Sequence, residues 1–151
     1  MALGRATVML QKLIPARFLT LTAHLVLTIC IFWTKDTSVH AGLLSDYSNS
    51  EYKMRDVEFT IALALTIVCF LLEYMGFLSG VSMFNPAFSL LSTIAHVAGT
   101  IMLSIFILKS WSSHLYWYIF GCCSAFPAIV EVALISQMMK MQAFSQVLIS
   151  N

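Results

Sequence analysis

Four ionisable side chains, His24, Glu73, His96 and Glu131, stand inside long apolar stretches of a 151-residue chain. An Asp, Lys or Arg at the centre of a spanning helix costs about 2.5 to 3.5 kcal/mol on insertion scales, so an ionisable group in such a place demands a partner or a function. In the structural reading, Glu73 and Glu131 turn into a helical bundle. There they accept hydrogen bonds from the two histidines or from Ser and Thr groups such as Thr22, Thr93 and Ser124, locking the helices together. In the functional reading the carboxylates serve a proton or ion path, as in a small transporter, or meet a polar group on a partner's helix. Two histidines at similar depth also suit haem ligation, a chemistry that needs matched ring geometry and a surface for a redox partner. No HExxH, GxSxG, glycine-rich phosphate loop or CxxC occurs, so no enzyme, catalytic residue, cofactor or metal-ligand set is expected.

These groups need elements that hold them in hydrocarbon. The chain is 60% hydrophobic and 10% charged, with mean hydropathy +0.88. That excludes an ordinary soluble globule, in which roughly a quarter of the residues are charged. A net charge of +1 leaves no broad basic surface for nucleic acid. Crossing a bilayer core takes about 20 apolar residues, and four segments qualify, at about 18–33, 57–78, 87–108 and 115–139. The expectation is an all-α, four-span bundle with short loops, a segment 1–14 before it and a tail 140–151 after it, both cytosolic. Arg17 and Lys35 snorkel at the ends of the first span, Pro15 suits its first turn, and Pro127 kinks the fourth. The cluster Tyr116-Trp117-Tyr118 reads as an interfacial belt. Cys30, Cys69, Cys122 and Cys123 read as small buried apolar residues.

An even number of spans puts both termini on one side. That side carries Arg5, Lys12, Arg17 and Lys140, and the other carries Lys35, Lys53, Arg55 and Lys109. The charge count is balanced, and cytosolic termini follow from the usual dominance of the first helix. With that orientation Glu73 lies about 8 Å deep, His24 about 9 Å, Glu131 about 12 Å and His96 about 13 Å, all in the inner half of the membrane. A competing reading takes 18–33 as a secretory signal cut near Val39-His40-Ala41, but the run is long for that and Lys35 and Asp36 intervene. The loop 34–56 is polar and turn-rich. Gly76 and Gly80 form a GxxxG, and Gly121 and Ala125 a small-xxx-small pair, each able to admit another helix closely. Gly80 also suits a helix end, and the short segment 80–86 makes a tight hairpin.

The run Pro15 to Leu21 with Ala23-His24-Leu25 and Phe32-Trp33 begins a pattern that continues through Glu73 into Gly76-Phe77-Leu78-Ser79-Gly80-Val81-Ser82-Met83-Phe84-Asn85. It goes on through Ser89-Leu90, Ala95-His96, Trp111, Tyr116 to Phe120, Cys123-Ser124-Ala125, Pro127-Ala128, Glu131 and Ala133-Leu134. In order and spacing this resembles the transmembrane protein 107 family over about residues 14 to 135. Departures lie in the longer amino terminus, the first loop, and a tail without the lysine cluster of vertebrate members. The resemblance implies a four-span protein of the ciliary transition zone. Such a protein recruits or retains other transmembrane subunits of the Meckel syndrome, tectonic-like module, supports ciliogenesis and ciliary membrane composition, and affects Hedgehog signalling in vertebrates. Its expected partners are those subunits and membrane lipids. Lipid-facing small residues of the second and fourth spans would make the lateral contacts, and the loop around Asp46 to Asp56 would meet extracellular domains.

Overall fold

The computed structural model describes residues 2–43 and 47–150, and they are helical apart from short connections, with no strand among them. The order is α1 (Ala2–Trp33), α2 (Lys35–Ala41), α3 (Asn49–Leu78), α4 (Pro86–Leu108), α5 (Ser113–Phe120), a π-helical turn (Gly121–Ala125) and α6 (Phe126–Ser150). Four stretches are long and apolar enough to cross a membrane: Gln11–Trp33, Asn49–Leu78, Pro86–Leu108 and Ser113–Leu148. Their outer faces carry exposed Leu, Ile, Val and Met, as a bundle dissolved in lipid requires.

The first helix starts well before residue 18. Residues 2–14 are mostly good helix formers, so Pro15 falls in the helix interior instead of its first turn, where it removes the hydrogen bond to the Gln11 carbonyl. Arg17 is thereby carried inside the bundle and does not snorkel. The first loop is also more ordered than its composition suggests. Lys35–Ala41 is helical, and Ser48 caps α3 by accepting from the Glu51 amide at 3.3 Å, the Ser-x-x-Glu pattern of a helix start. Lys35 bridges α2 to α3 through Asp56 at 2.6 Å and Thr60 at 3.0 Å. Ser45 and Asp46 lie outside the described residues.

The α3–α4 hairpin closes on Gly80, whose φ of +80° is a left-handed conformation. The Ser79 amide donates to the Met75 carbonyl and the Ser82 amide to that of Gly76. The side chain of Asn85 then accepts from the Phe88 amide ahead of Pro86, so the next helix begins at once. Beyond α4, helix α5 runs through the π-helical turn into α6, with the wide turn just before Pro127. A proline cannot donate to the carbonyl four residues back, and a π-helical turn is one way to absorb that loss.

Helix α1 packs along α4, and α3 packs against α5 and α6. At the end remote from the termini lies an apolar core of Ile31, Val39, Phe59, Leu63, Leu103, Phe106, Tyr116 and Ile119. Tyr116 stands edge-on to Phe59 at 5.3 Å and Phe106 at 6.0 Å. The proposed aromatic belt is therefore divided: Tyr116 is buried, Trp117 half-buried, and Tyr118 75% exposed. The cysteines divide likewise, since Cys123 is buried and Cys69 partly so, while Cys30 and Cys122 are exposed.

Gly80→Ala places a Cβ on left-handed backbone and is expected to lower stability by about 1 to 2 kcal/mol. Gly121→Ala, at a helical position where a Cβ meets nothing within 4 Å, is expected to cause no loss. Unfolding of both variants in the same detergent checks the contrast.

Candidate functional site

The spacing of buried residues along each helix builds the site. In α1 the buried positions are Arg17, Leu21, His24, Thr28 and Ile31, a four-three-four-three repeat along one seam. In α4 they include Ser89, Ser92, His96, Gly99, Leu103 and Phe106 with a similar repeat, and in α3 Thr66, Phe70, Glu73, Gly76 and Phe77. The halves of these seams remote from the termini are mainly apolar, with Thr28 and Thr66 as buried hydroxyls, and the halves toward the termini converge as a polar cluster.

Arg17 is the centre of that cluster and is 0% exposed. Its guanidinium spends its donors on three elements: Nη2 to Glu131 Oε2 at 2.7 Å on α6, Nη1 to Ser82 Oγ at 2.9 Å in the hairpin, and Nε to Ser92 Oγ at 3.1 Å on α4. The rings of Phe88 and Phe77 cover it, with centroids 4.7 and 5.4 Å from the guanidinium carbon. Ser92 passes the chain on, donating to Glu73 Oε2 at 3.2 Å. His96 Nε2 lies 2.8 Å from the same oxygen, and His96 Nδ1 lies 3.1 Å from His24 Nδ1. One connected network thus joins all four spans, and Phe70 packs against both imidazoles.

Two glycines make the room. A Cβ on Gly76 would run into the carboxylate of Glu131, and one on Gly99 into the ring of His24. Gly76 is therefore an inward-facing clearance and not a lipid-facing contact, and Gly80 is the turn residue that ends α3. Gly121 is exposed, and Ala125 lines a shallow apolar groove with Cys69, Leu72, Ala128, Ile129 and Val132.

His24, Glu73, His96 and Glu131 all lie in the network, but their partners differ from those expected. Glu73 takes His96 and Ser92, while Glu131 takes Arg17. Thr22 bonds Tyr74 and the Phe18 carbonyl, and Thr93 bonds the Ser89 carbonyl. Ser124 Oγ, Glu73 Oε1 and Glu131 Oε1 are buried without a hydrogen-bond partner among the described residues. Sequence alone puts Arg17 at a helix end, because a cation that borders an apolar run ordinarily snorkels. Its position seven residues before His24 and fourteen before Ile31, on one seam, was the available signal. The histidines touch ring to ring, which leaves no space for a macrocycle between them. No group of three His, Cys, Asp or Glu residues is placed to hold a metal among the described residues.

A family model, TMEM107, described as "Transmembrane protein", matches residues 13–135. The chain is 48% identical over 126 residues to transmembrane protein 107 of Danio rerio, covering 83% of this chain and 93% of that one. It is 49% identical over 125 residues to the Rattus norvegicus protein of the same name, covering 83% and 89%. Against the Homo sapiens protein it is 48% identical over 122 residues, covering 81% and 87%. No solved structure matches the chain.

Arg17→Leu strands a buried carboxylate and Glu131→Leu a buried guanidinium. Each is expected to cost about 3 to 5 kcal/mol, whereas the double substitution costs much less than the sum of the two. Denaturant unfolding in micelles measures the cycle. Gly76→Ala and Gly99→Ala are expected to destabilise the same network, seen as a lowered unfolding midpoint in the same assay.

Proposed function

Because the chain belongs to the transmembrane protein 107 family, we propose that it is a non-enzymatic membrane scaffold of the ciliary transition zone. In this reading it recruits or retains other transmembrane subunits of the Meckel, tectonic-like module, and so supports cilium assembly, ciliary membrane composition and Hedgehog signalling. Its termini face the cytosol.

The observation that carries this reading is the closure of the bundle. The intramembrane polar side chains are turned toward one another in a network that joins all four spans, and the outward faces are apolar. A small protein built so meets its neighbours by lateral helix contact in the membrane, where close packing at small residues supplies the affinity. With Gly76 and Gly80 committed to the interior and the turn, the surface left for such contact is that of Gly121 and Ala125 on the rod formed by α5, the π-helical turn and α6. The short loops leave little else to recognise, and the order of α2 against α3 makes the remote face a second, smaller contact for extracellular parts of the module.

A carboxyl-terminal tag at the native locus is expected to give a signal confined between basal body and axoneme in ciliated cells. Gly121→Leu with Ala125→Leu is expected to leave the protein in the membrane and folded but to lower retention of the other module subunits at that position. A diffuse plasma-membrane or reticular signal, with normal cilia after deletion, rejects the scaffold reading.

A further inference from the structure

The charged residues outside the buried network are divided by sign between the two ends of the bundle. Asp36, Asp46, Glu51, Asp56 and Glu58 all fall on the side of the first loop, among Lys35, Lys53, Arg55 and Lys109. The side of the termini carries Arg5, Lys12 and Lys140 and no Asp or Glu. Cations with no carboxylate among them, at the edge of a bilayer, attract anionic headgroups.

The same end carries a helix that the bundle does not cover. Arg17 bonds both Ser82 of the hairpin and Glu131 of α6, which sets Glu131 level with the hairpin to within a side-chain length. Helix α6 continues from there to Ser150, so Lys140 lies about 13 Å and Leu148 about 25 Å beyond Glu131 along the helix. Every side chain from Ser136 to Leu148 is exposed. Met141, Phe144 and Leu148, at 67%, 66% and 63% exposure, recur at i, i+3 and i+7 on one face, and Gln142 and Gln146 lie on the opposite one. The segment therefore has bulky apolar groups along one side, uncharged polar groups along the other, and a single charge, Lys140, at its start. Such a helix matches a headgroup boundary, where one side meets acyl chains and the other meets water. The Ser136 hydroxyl donates to the Val132 carbonyl at 2.7 Å, a bond of the kind that eases bending of a helix, and it gives the tail a place to turn from the membrane normal toward the membrane surface.

We propose that residues 140–150 are a lipid-docking helix, which lies along the bilayer surface on the side of the termini and selects anionic phospholipid. Met141, Phe144 and Leu148 enter the acyl region. Lys140, with Lys12 at the matching end of α1, meets the phosphate and carboxylate groups of the headgroups. The partner is a general anionic surface and not a multivalent phosphoinositide, which takes a denser basic cluster. A protein helix packed on the tail would bury the same apolar face but would leave the division of charge unused. The site is independent of the scaffold reading.

The test is methyl NMR of the full chain, carbon-13-labelled at methionine and placed in nanodiscs of phosphatidylcholine alone or mixed with phosphatidylserine. The Met141 signal is assigned by its loss in Met141→Leu. In the mixed discs this signal is expected to be broadened by a lipid carrying a nitroxide high on its acyl chain and spared by a water-soluble gadolinium chelate. Broadening by the chelate and not by the lipid overturns the proposal. Protection from both overturns it as well, because the tail is then covered by protein, such as a second copy. The docked fraction is expected to be higher in the mixed discs than in phosphatidylcholine, and equal fractions overturn the anionic preference. Lys12→Gln with Lys140→Gln, both at exposed positions, is expected to lower the docking constant in the mixed discs about fivefold for each lysine removed. An unchanged constant overturns the role given to the lysines, and if this variant fails to fold, the comparison of the two lipid mixtures with the wild type decides alone.

Discussion

Arg17 carries a permanent charge to a place where neither water nor lipid reaches it, and the cost of that charge determines which groups stand beside it. A guanidinium has five N–H donors and cannot be neutralised by losing a proton. In this bundle it reaches a carboxylate on α6, a hydroxyl in the hairpin and a hydroxyl on α4, with two aromatic rings covering its faces. Each contact ties the first span to a different element. Displacing any of these elements would leave a donor or an acceptor unpaired, so a single side chain specifies how four spans are arranged.

That specification matters more in lipid than in water. Helices in a bilayer gain little from burying apolar surface against one another, since the lipid tails are equally apolar, and what remains is close packing and polar contact. The molecule uses the two at opposite ends. Toward the first loop and α5, Phe59, Phe106 and Tyr116 interlock with aliphatic neighbours. Toward the termini, Arg17, Glu131, Glu73 and the histidine pair take their place, and the glycines at 76 and 99 bring backbone close enough for the side chains to meet. The outer faces, relieved of polar groups, are left to lipid and to other helices.

Much of the architecture is legible in local pattern. Apolar runs of spanning length, and Gly80 followed by Asn85-Pro86, act locally along the chain, so the sequence shows the number of spans and the tight hairpin directly, whereas the helix start at Ser48 and Glu51 lies in a stretch whose composition reads as turn-rich loop. The intramembrane residues His24, Glu73, His96 and Glu131 are conspicuous for the same reason, as polar groups in apolar surroundings. Arg17 was less visible because a cation near the end of an apolar run ordinarily snorkels, and the helix before it, which moves that end away, has no strong start signal. Gly76 was ambiguous because GxxxG describes close approach and does not say whether the approaching group is another protein's helix or a carboxylate of the same chain.

The sequence by itself determined that this chain lives in a membrane, how many times it can cross, and which residues would be expensive there, because those properties depend on length and composition summed along the chain. The tertiary structure alone decided who pairs with whom. Glu131 and Arg17 are separated by 114 positions, and Glu73 meets His96 and not Arg17 as its nearest strong partner. Pairings of that kind follow from the rotation and depth at which helices pack, and these are set by steric fit among many side chains at once. No single stretch of sequence carries that information.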